Sequence, residues 1–172
     1  RSQFETNVFG VLRLVRPVIA RMRERGTGRL LFVGSLSGRA PIPFQAHYSA
    51  TKAAIEALAF SLANEVHPFG LSVSLIEPGD IDTAFNDVMD WGEALPSSAY
   101  RERQARCEQT IRESLPKAPG PGIVADAVAH ARHARNQVAR LVPHLVFPRT
   151  GGRGQLDGER DAAAVDSQVL DQ

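Results

Sequence analysis

From Phe4 the apolar side chains Phe4, Val8, Val11, Leu12, Val15, Ile19 and Met22 recur at steps of three and four, the spacing that lines one face of an α-helix. Pro17 lies inside that run. It has no backbone N–H and its ring crowds the preceding turn, so a kink or a tightened turn is expected there. Gly26-Thr27-Gly28 ends the helix, and Arg29-Leu30-Leu31-Phe32-Val33 follows as a short apolar run of the kind found in strands covered on both faces. Gly34-Ser35-Leu36-Ser37-Gly38 punctuates it. A proline-containing loop from Ala40 to Ala46 then leads to a second helix over His47 to Val66, which His67-Pro68-Phe69-Gly70 stops. Leu71-Ser72-Val73-Ser74-Leu75-Ile76 reads as a second strand, closed by Pro78-Gly79.

Helix, strand, helix, strand joined by short glycine-bearing turns predicts crossover units in a parallel sheet, an α/β fold. Functional groups in such sheets gather at the carboxyl ends of the strands, here Gly34-Ser35 and Glu77-Pro78-Gly79-Asp80. From Thr83 to Leu115 the pattern is polar and helical, with Phe85, Val88, Met89, Trp91, Leu95 and Tyr100 scattered through it. Pro116 to Gly122 reads as a linker, Ile123 to Gln137 as one more helix, and Leu141 to Phe147 as a last strand interrupted by Pro143. Residues 149–172 are glycine-rich, then acidic and poor in large apolar groups, the composition of a disordered tail.

Composition narrows the function. With 172 residues, 43% of them apolar and 23% charged, the chain has the make-up of one globular domain. Twenty basic against 19 acidic residues leave a net charge of +1, which gives no electrostatic footprint for nucleic acid or an anionic membrane. Arg132, Arg135 and Arg140 read as a solvated helix face, and His130 and His133 as helix-surface histidines too isolated for a metal site. No apolar run approaches a membrane span. The single Cys107 cannot form an internal disulfide, so a reducing compartment, the cytoplasm, is expected.

Tyr48 and Lys52 stand four apart at the start of the second helix, on one face. A lysine ammonium roughly 5 Å from a phenol, at an effective dielectric near 20, favours the phenolate by about 3 kcal/mol. That lowers a pKa of ~10 by about two units. The positive helix N-terminus pushes the same way. A tyrosine so tuned can exchange a proton with an alcohol or carbonyl near neutral pH. The lysine is notable in a chain with 2 Lys and 18 Arg, since a compact ammonium is what this role needs. Ser35, at the end of the first strand, can donate to a substrate oxygen as charge develops on it. It can equally be a turn serine bonding its own backbone, as can Ser37.

At these residues the chain resembles the short-chain dehydrogenase/reductase family. Thr6-Asn7-Val8-Phe9-Gly10, Val33-Gly34-Ser35-Leu36-Ser37-Gly38, Tyr48-Ser49-Ala50-Thr51-Lys52 and Pro78-Gly79-Asp80-Ile81-Asp82-Thr83 occur in that family's order and spacing, over about Arg1 to Phe85. Phe69 to Gly79 also looks like the branch containing 17-beta-hydroxysteroid and retinol-type dehydrogenases. The resemblance implies a partial Rossmann-like doubly wound parallel sheet over residues 1–148, lacking its N-terminal βαβ units, with residues 84–122 either a substrate lid or ordinary helix packing. It implies reversible hydride transfer between NAD or NADP and a secondary alcohol or ketone, the substrate being small and apolar. Tyr48 would be the acid/base. Lys52 would depress its pKa and hold the nicotinamide ribose hydroxyls, Ser35 would polarise the substrate oxygen, and Asn7 would anchor a water-mediated proton relay. Pro78, Gly79 and Ile81 would line the nicotinamide, with Thr83 near its carboxamide or phosphate.

The family's glycine-rich turn T-G-x-x-x-G-x-G does not precede Arg1. Thr150-Gly151-Gly152-Arg153-Gly154-Gln155-Leu156-Asp157 does not fit it, because Gln155 and Asp157 stand where glycines are required. The expectation is therefore a carboxyl-terminal portion of an oxidoreductase, cut at Arg1, that binds cofactor poorly by itself. The rival reading is a non-enzymatic homo-oligomerising module. Between Ala53 and Val66 only Glu56 and Glu65 are charged, so that helix needs two burying surfaces. One is the sheet; in the family the other is a second subunit, giving a homodimer or homotetramer through helices over residues 3–25 and 48–66.

Overall fold

The computed structural model describes residues 1–92 and 95–132. The chain opens with α1 (Ser2–Phe4), a wide π turn over Glu5–Gly10 and α2 (Val11–Arg25), which run on from one another. Pro17 sits within α2, and the departure from α geometry falls earlier than expected, at the π turn that carries Asn7. α2 ends as its sequence dictates. Gly26 takes the left-handed conformation (φ 67°) and donates to Arg23 O at 3.1 Å, while Thr27 N–H reaches back to Met22 O at 3.3 Å. This double bond pattern satisfies the last carbonyls and turns the chain toward the sheet.

β1 (Gly28–Val33) and β2 (Leu71–Ile76) pair in parallel, Gly28 opposite Leu71 and Val33 opposite Ile76. α3 (Ala46–Val66) connects them, ending in a 3-10 turn over His67–Phe69 and in Gly70, again left-handed (φ 74°). A Cβ at Gly70 would lie 2.5 Å from Gly26 O, so the turn after α2 and the turn after α3 touch backbone to backbone. Pairing continues beyond the strands: Gly34 N–H donates to Ile76 O at 2.8 Å and Leu36 N–H to Pro78 O at 2.9 Å. The two strand ends therefore leave the sheet side by side.

The core joins Phe32, Ile55, Ala59, Val66, Leu71, Val73 and Leu75, with Val11, Val15, Ile19 and Met22 of α2 packed against it. Each large side chain so buried contributes about 1.5–3 kcal/mol. β2 is buried along nearly its whole length, Ser74 included. β1 is covered less than its sequence suggested: Phe32 is buried while Val33 is exposed, because among the described residues β1 has one strand neighbour.

The helix expected over Thr83–Leu115 is shorter. Ala84–Val88 forms a 3-10 turn, the chain then runs through Gly92 (φ 64°) and Pro96, and α4 begins at Arg101 and ends at Ser114. Gly92 and Pro96 interrupt the apolar spacing, which explains the late start. A 3-10 turn over Leu115–Lys117 leads to α5 (Gly122–Ala131), whose Ala127 and Ala131 are buried and whose Ala131 O accepts from Arg29 Nη1 at 2.8 Å. No helix among the described residues is long and apolar enough to cross a membrane. The strand expected at Leu141–Phe147, the tail expected at 149–172, and His133, Arg135 and Arg140 lie outside the described residues.

Candidate active site

Three pieces converge at the carboxyl ends of the strands: the turn after β1, the first turns of α3 and the segment after β2. Ser35 is extended and caps the 3-10 turn Leu36–Gly38. Its Oγ accepts from Ser37 N–H at 3.2 Å and from Ser37 Oγ at 2.9 Å. The turn-serine reading thus holds, and it serves the other one: an oxygen that already accepts twice directs its own proton elsewhere. From this turn the Ser35 and Ser37 hydroxyls act on half-buried Tyr48 and pull its phenol pKa down. Gly38 lets this turn lie directly on α3, since a Cβ there would come within 3.0 Å of the Lys52 carbonyl carbon and of Ala53 N.

Lys52 Nζ lies 5.7 Å from the Tyr48 ring centroid and 3.5 Å from Val33 O. The pair shares a helix face as the spacing predicts, yet the electrostatic outcome is the reverse of the expected depression. Burial removes the phenolate from water and holds the Tyr48 pKa above the ordinary tyrosine value, with the Ser35 and Ser37 hydroxyls pulling it down. The same burial holds the Lys52 ammonium below the usual lysine range. Asp80, just past the Pro78-Gly79 turn, is likewise raised by burial.

Asn7 reaches α3 from the π turn. Its Nδ2 donates to Thr51 Oγ1 at 3.1 Å, and the fully buried Thr51 hydroxyl donates to Tyr48 O at 2.7 Å, so the π turn is tied to the turn of helix that carries the phenol. Pro78 is joined to the serine turn through Leu36. Ile81 O and Thr83 O both accept from Asn86, from its side chain and its backbone N–H respectively, each at 3.0 Å. Ser35, Tyr48, Lys52 and Pro78 are thus brought together, Asn7 is linked through Thr51, and Ile81 and Thr83 stand farther along the same strand end.

The geometry is matched by similarity over the same stretch, for the short chain dehydrogenase family profile fits residues 1–93. The chain belongs to the short-chain dehydrogenase family. A 3-ketodihydrosphingosine reductase of Bacteroides thetaiotaomicron is 42% identical over 85 residues, covering 49% of this chain and 32% of that protein. Human 17-beta-hydroxysteroid dehydrogenase type 1 is 33% identical over 147 residues, covering 81% of this chain and 44% of the relative. A short-chain dehydrogenase crystal structure from Streptomyces avermitilis superposes with a TM-score of 0.63 at 33% identity, over 81% of this chain and 50% of that one. This short-chain dehydrogenase chain therefore spans about a third to a half of the length of these three proteins, and its two parallel strands with their crossing helix are part of a Rossmann-like fold.

Two sets of residues at the site escaped the sequence. Thr51 sits inside the Tyr48–Lys52 spacing, and its position three after Tyr48 is where a threonine hydroxyl reaches back to a carbonyl. Arg39, Glu56 and Glu77 form an ion-pair cluster whose only sequence signal was a glutamate closing an apolar strand. The segment 84–114 also reaches the site, placing the Phe85 ring 6.5 Å from that of Tyr48 and Met89 Sδ 3.8 Å from Gln45 Nε2.

Proposed function

We propose that this chain carries the proton-transfer machinery of an NAD(P)-dependent oxidoreductase that interconverts a secondary alcohol and a ketone. The observation that carries the reading is the position of Lys52 Nζ 5.7 Å from the Tyr48 ring on one face of α3, with the Ser35–Ser37 turn at the ends of the same two parallel strands. Tyr48 exchanges a proton with the substrate oxygen, and Ser35 donates a hydrogen bond to that oxygen as charge builds there.

The donor set suits a nicotinamide dinucleotide. Lys52 has three N–H donors, and the contact it makes to Val33 O is long at 3.5 Å, so it has donors to offer the ribose hydroxyls. NAD or NADP, when bound, supplies or accepts the hydride. Pro78, Gly79 and Ile81 line the nicotinamide and Thr83 bonds near its carboxamide or phosphate. Asn7, tied to the Tyr48 turn through Thr51, heads the path by which water returns the proton.

The substrate is a small apolar alcohol or ketone, a class favoured by the Phe85 ring beside the phenol and by the name of the human relative. Residues 84–122 act as its lid, lying over the loop before α3 through Cys107 Sγ on Pro43 O at 3.6 Å. The protein works in the cytoplasm as a homodimer or homotetramer, a reading supported by the outward-facing Phe9, Leu14 and Val18 on the first helix.

Tyr48→Phe keeps the ring and removes the proton. Assayed in the whole protein with NAD(P) and secondary alcohols, it is expected to lose roughly 10²–10⁴-fold in turnover with its circular dichroism unchanged. Undiminished turnover overturns the acid/base role. If neither form turns over any alcohol while both self-associate, the exposed face of the first helix gives the better account, a homo-oligomerising module without catalysis.

A further inference from the structure

One guanidinium stands where the three pieces of the site meet. Arg39 directly follows the 3-10 turn that holds Ser35 and Ser37, and its backbone N–H donates to Leu36 O at 2.9 Å. Its Nε donates to Glu56 Oε1 at 2.8 Å, a terminal nitrogen also reaches that oxygen, and Nε lies 3.5 Å from Glu77 Oε1. Glu56 is on α3, one turn beyond Lys52 and two beyond Tyr48. Glu77 is 1% exposed and immediately precedes Pro78-Gly79. A partly exposed arginine reaching a buried carboxylate and a half-buried one on two different elements is more than a surface pair, because each carboxylate is largely out of water and the planar fork fixes direction as well as charge.

The location is informative. The serine turn is also tied by backbone bonds, Leu36 N–H to Pro78 O and Gly34 N–H to Ile76 O, and by the close packing of Gly38 on α3, while just beyond Arg39 the Ile42 N–H donates to Ser49 Oγ at 3.4 Å. Arg39 adds direction to these ties, because its side chain reaches α3 and the end of β2 at once. We propose that Arg39 is a positioning residue, which clamps the turn after β1 to α3 and to the end of β2 and thereby sets where the Ser35 and Ser37 hydroxyls stand relative to the Tyr48 phenol. This rests on the role given to Tyr48 and Ser35 above, and it adds a residue that touches neither substrate nor cofactor.

The test reads the phenol directly. The chain has two tyrosines, so ring-labelled tyrosine gives two nuclear magnetic resonance signals, assigned with Tyr100→Phe, and the exposed Tyr100 serves as internal reference. Arg39→Gln is expected to displace the Tyr48 resonance at neutral pH while leaving Tyr100 in place. Arg39→Lys, which keeps the charge and loses the fork, restores part of the shift, and Glu56→Gln produces a smaller one. Because Arg39 acts through the serines, Arg39→Gln should add nothing further in a Ser35→Ala, Ser37→Ala background. A folded Arg39→Gln protein with the Tyr48 resonance unmoved overturns the proposal, as does equal movement of both tyrosines. If Arg39→Gln fails to fold, Glu56→Gln decides: an unmoved Tyr48 signal there is equally fatal. No cofactor or turnover enters the measurement, so a protein that oxidises no alcohol yet shows the selective shift loses only its oxidoreductase reading.

Discussion

The strand ends and the segment that lies across them are built on opposite terms. At the strand ends polar groups are buried and paired: Glu77 meets Arg39, Thr51 bridges Asn7 to the Tyr48 carbonyl, and the Ser37 hydroxyl donates to Ser35 Oγ. In the segment from Thr83 to Tyr100 the reverse holds. Val88 is 74% exposed, Leu95 72%, and Phe85 and Tyr100 are also outward, while the contacts inward are single bonds such as Gln104 Nε2 to Trp91 O at 3.0 Å. Buried polar groups with fixed partners have one low-energy arrangement, since every alternative strands a donor or an acceptor. Exposed apolar side chains with few neighbours have many. The first region is suited to holding reacting groups in place, and the second to adapting to whatever apolar surface is laid against it.

The contrast can be broken most sharply by cutting the same side chain in each region. Leu75→Ala, in the buried strand β2, is expected to cost about 2–5 kcal/mol in urea denaturation. A loss below about 1 kcal/mol would mean the strand is not the anchor described. Gly70→Ala comes next, at about 2 kcal/mol, because it adds left-handed strain and a contact with Gly26 O at 2.5 Å. Stability equal to the parent would show that the two turns do not touch in solution.

Smaller still is the effect of pH. The folded-state pKa of Lys52 is lowered, so the unfolded chain binds its proton more tightly, and stability rises with pH from the folded value up to the unfolded 10.5. Tyr48 is raised, so its contribution is present below 10 and is lost as pH climbs through the folded value. Lys52→Met should therefore flatten the rise on the alkaline side of neutrality and leave the fall above pH 10. An unchanged slope would sink the assignment of burial to that ammonium. Least of all, Leu95→Ser should change stability by no more than about 0.5 kcal/mol, measured against Leu75→Ala in the same denaturation series. A larger cost would place the segment among the packed elements.

What the sequence made legible followed local rules. Both strands fell where short apolar runs end in glycine turns, and α3 was bounded within one residue because Pro68 and Gly70 leave few ways to continue it. Tyr48 and Lys52 shared a face because helical spacing alone decides that. The phenol's pKa did not follow, since spacing gives the ammonium's distance and says nothing of how much water is displaced from either group. The pairing of Arg39 with Glu77 was invisible for a related reason: 38 residues apart, they meet only because β1 and β2 are in parallel register. The late start of α4 was missed because scattered apolar residues from Phe85 to Tyr100 mimic helical spacing while Gly92 and Pro96 forbid it.

The contact between Gly26 and Gly70 reaches further than the turns it joins. Both strands start from that shared point and advance in step, so the pairing of Gly28 with Leu71 sets which residues emerge together at the far end, roughly 20 Å away. Ser35 arrives beside Pro78 as a matter of phase. One residue inserted in β1 ahead of Phe32 would throw the two arrivals out of step and turn Phe32 outward and Val33 inward. The sheet is in this sense a vernier: its zero is fixed by two glycines at one end, and its reading, the alignment of a serine with a proline-glycine turn, is taken at the other.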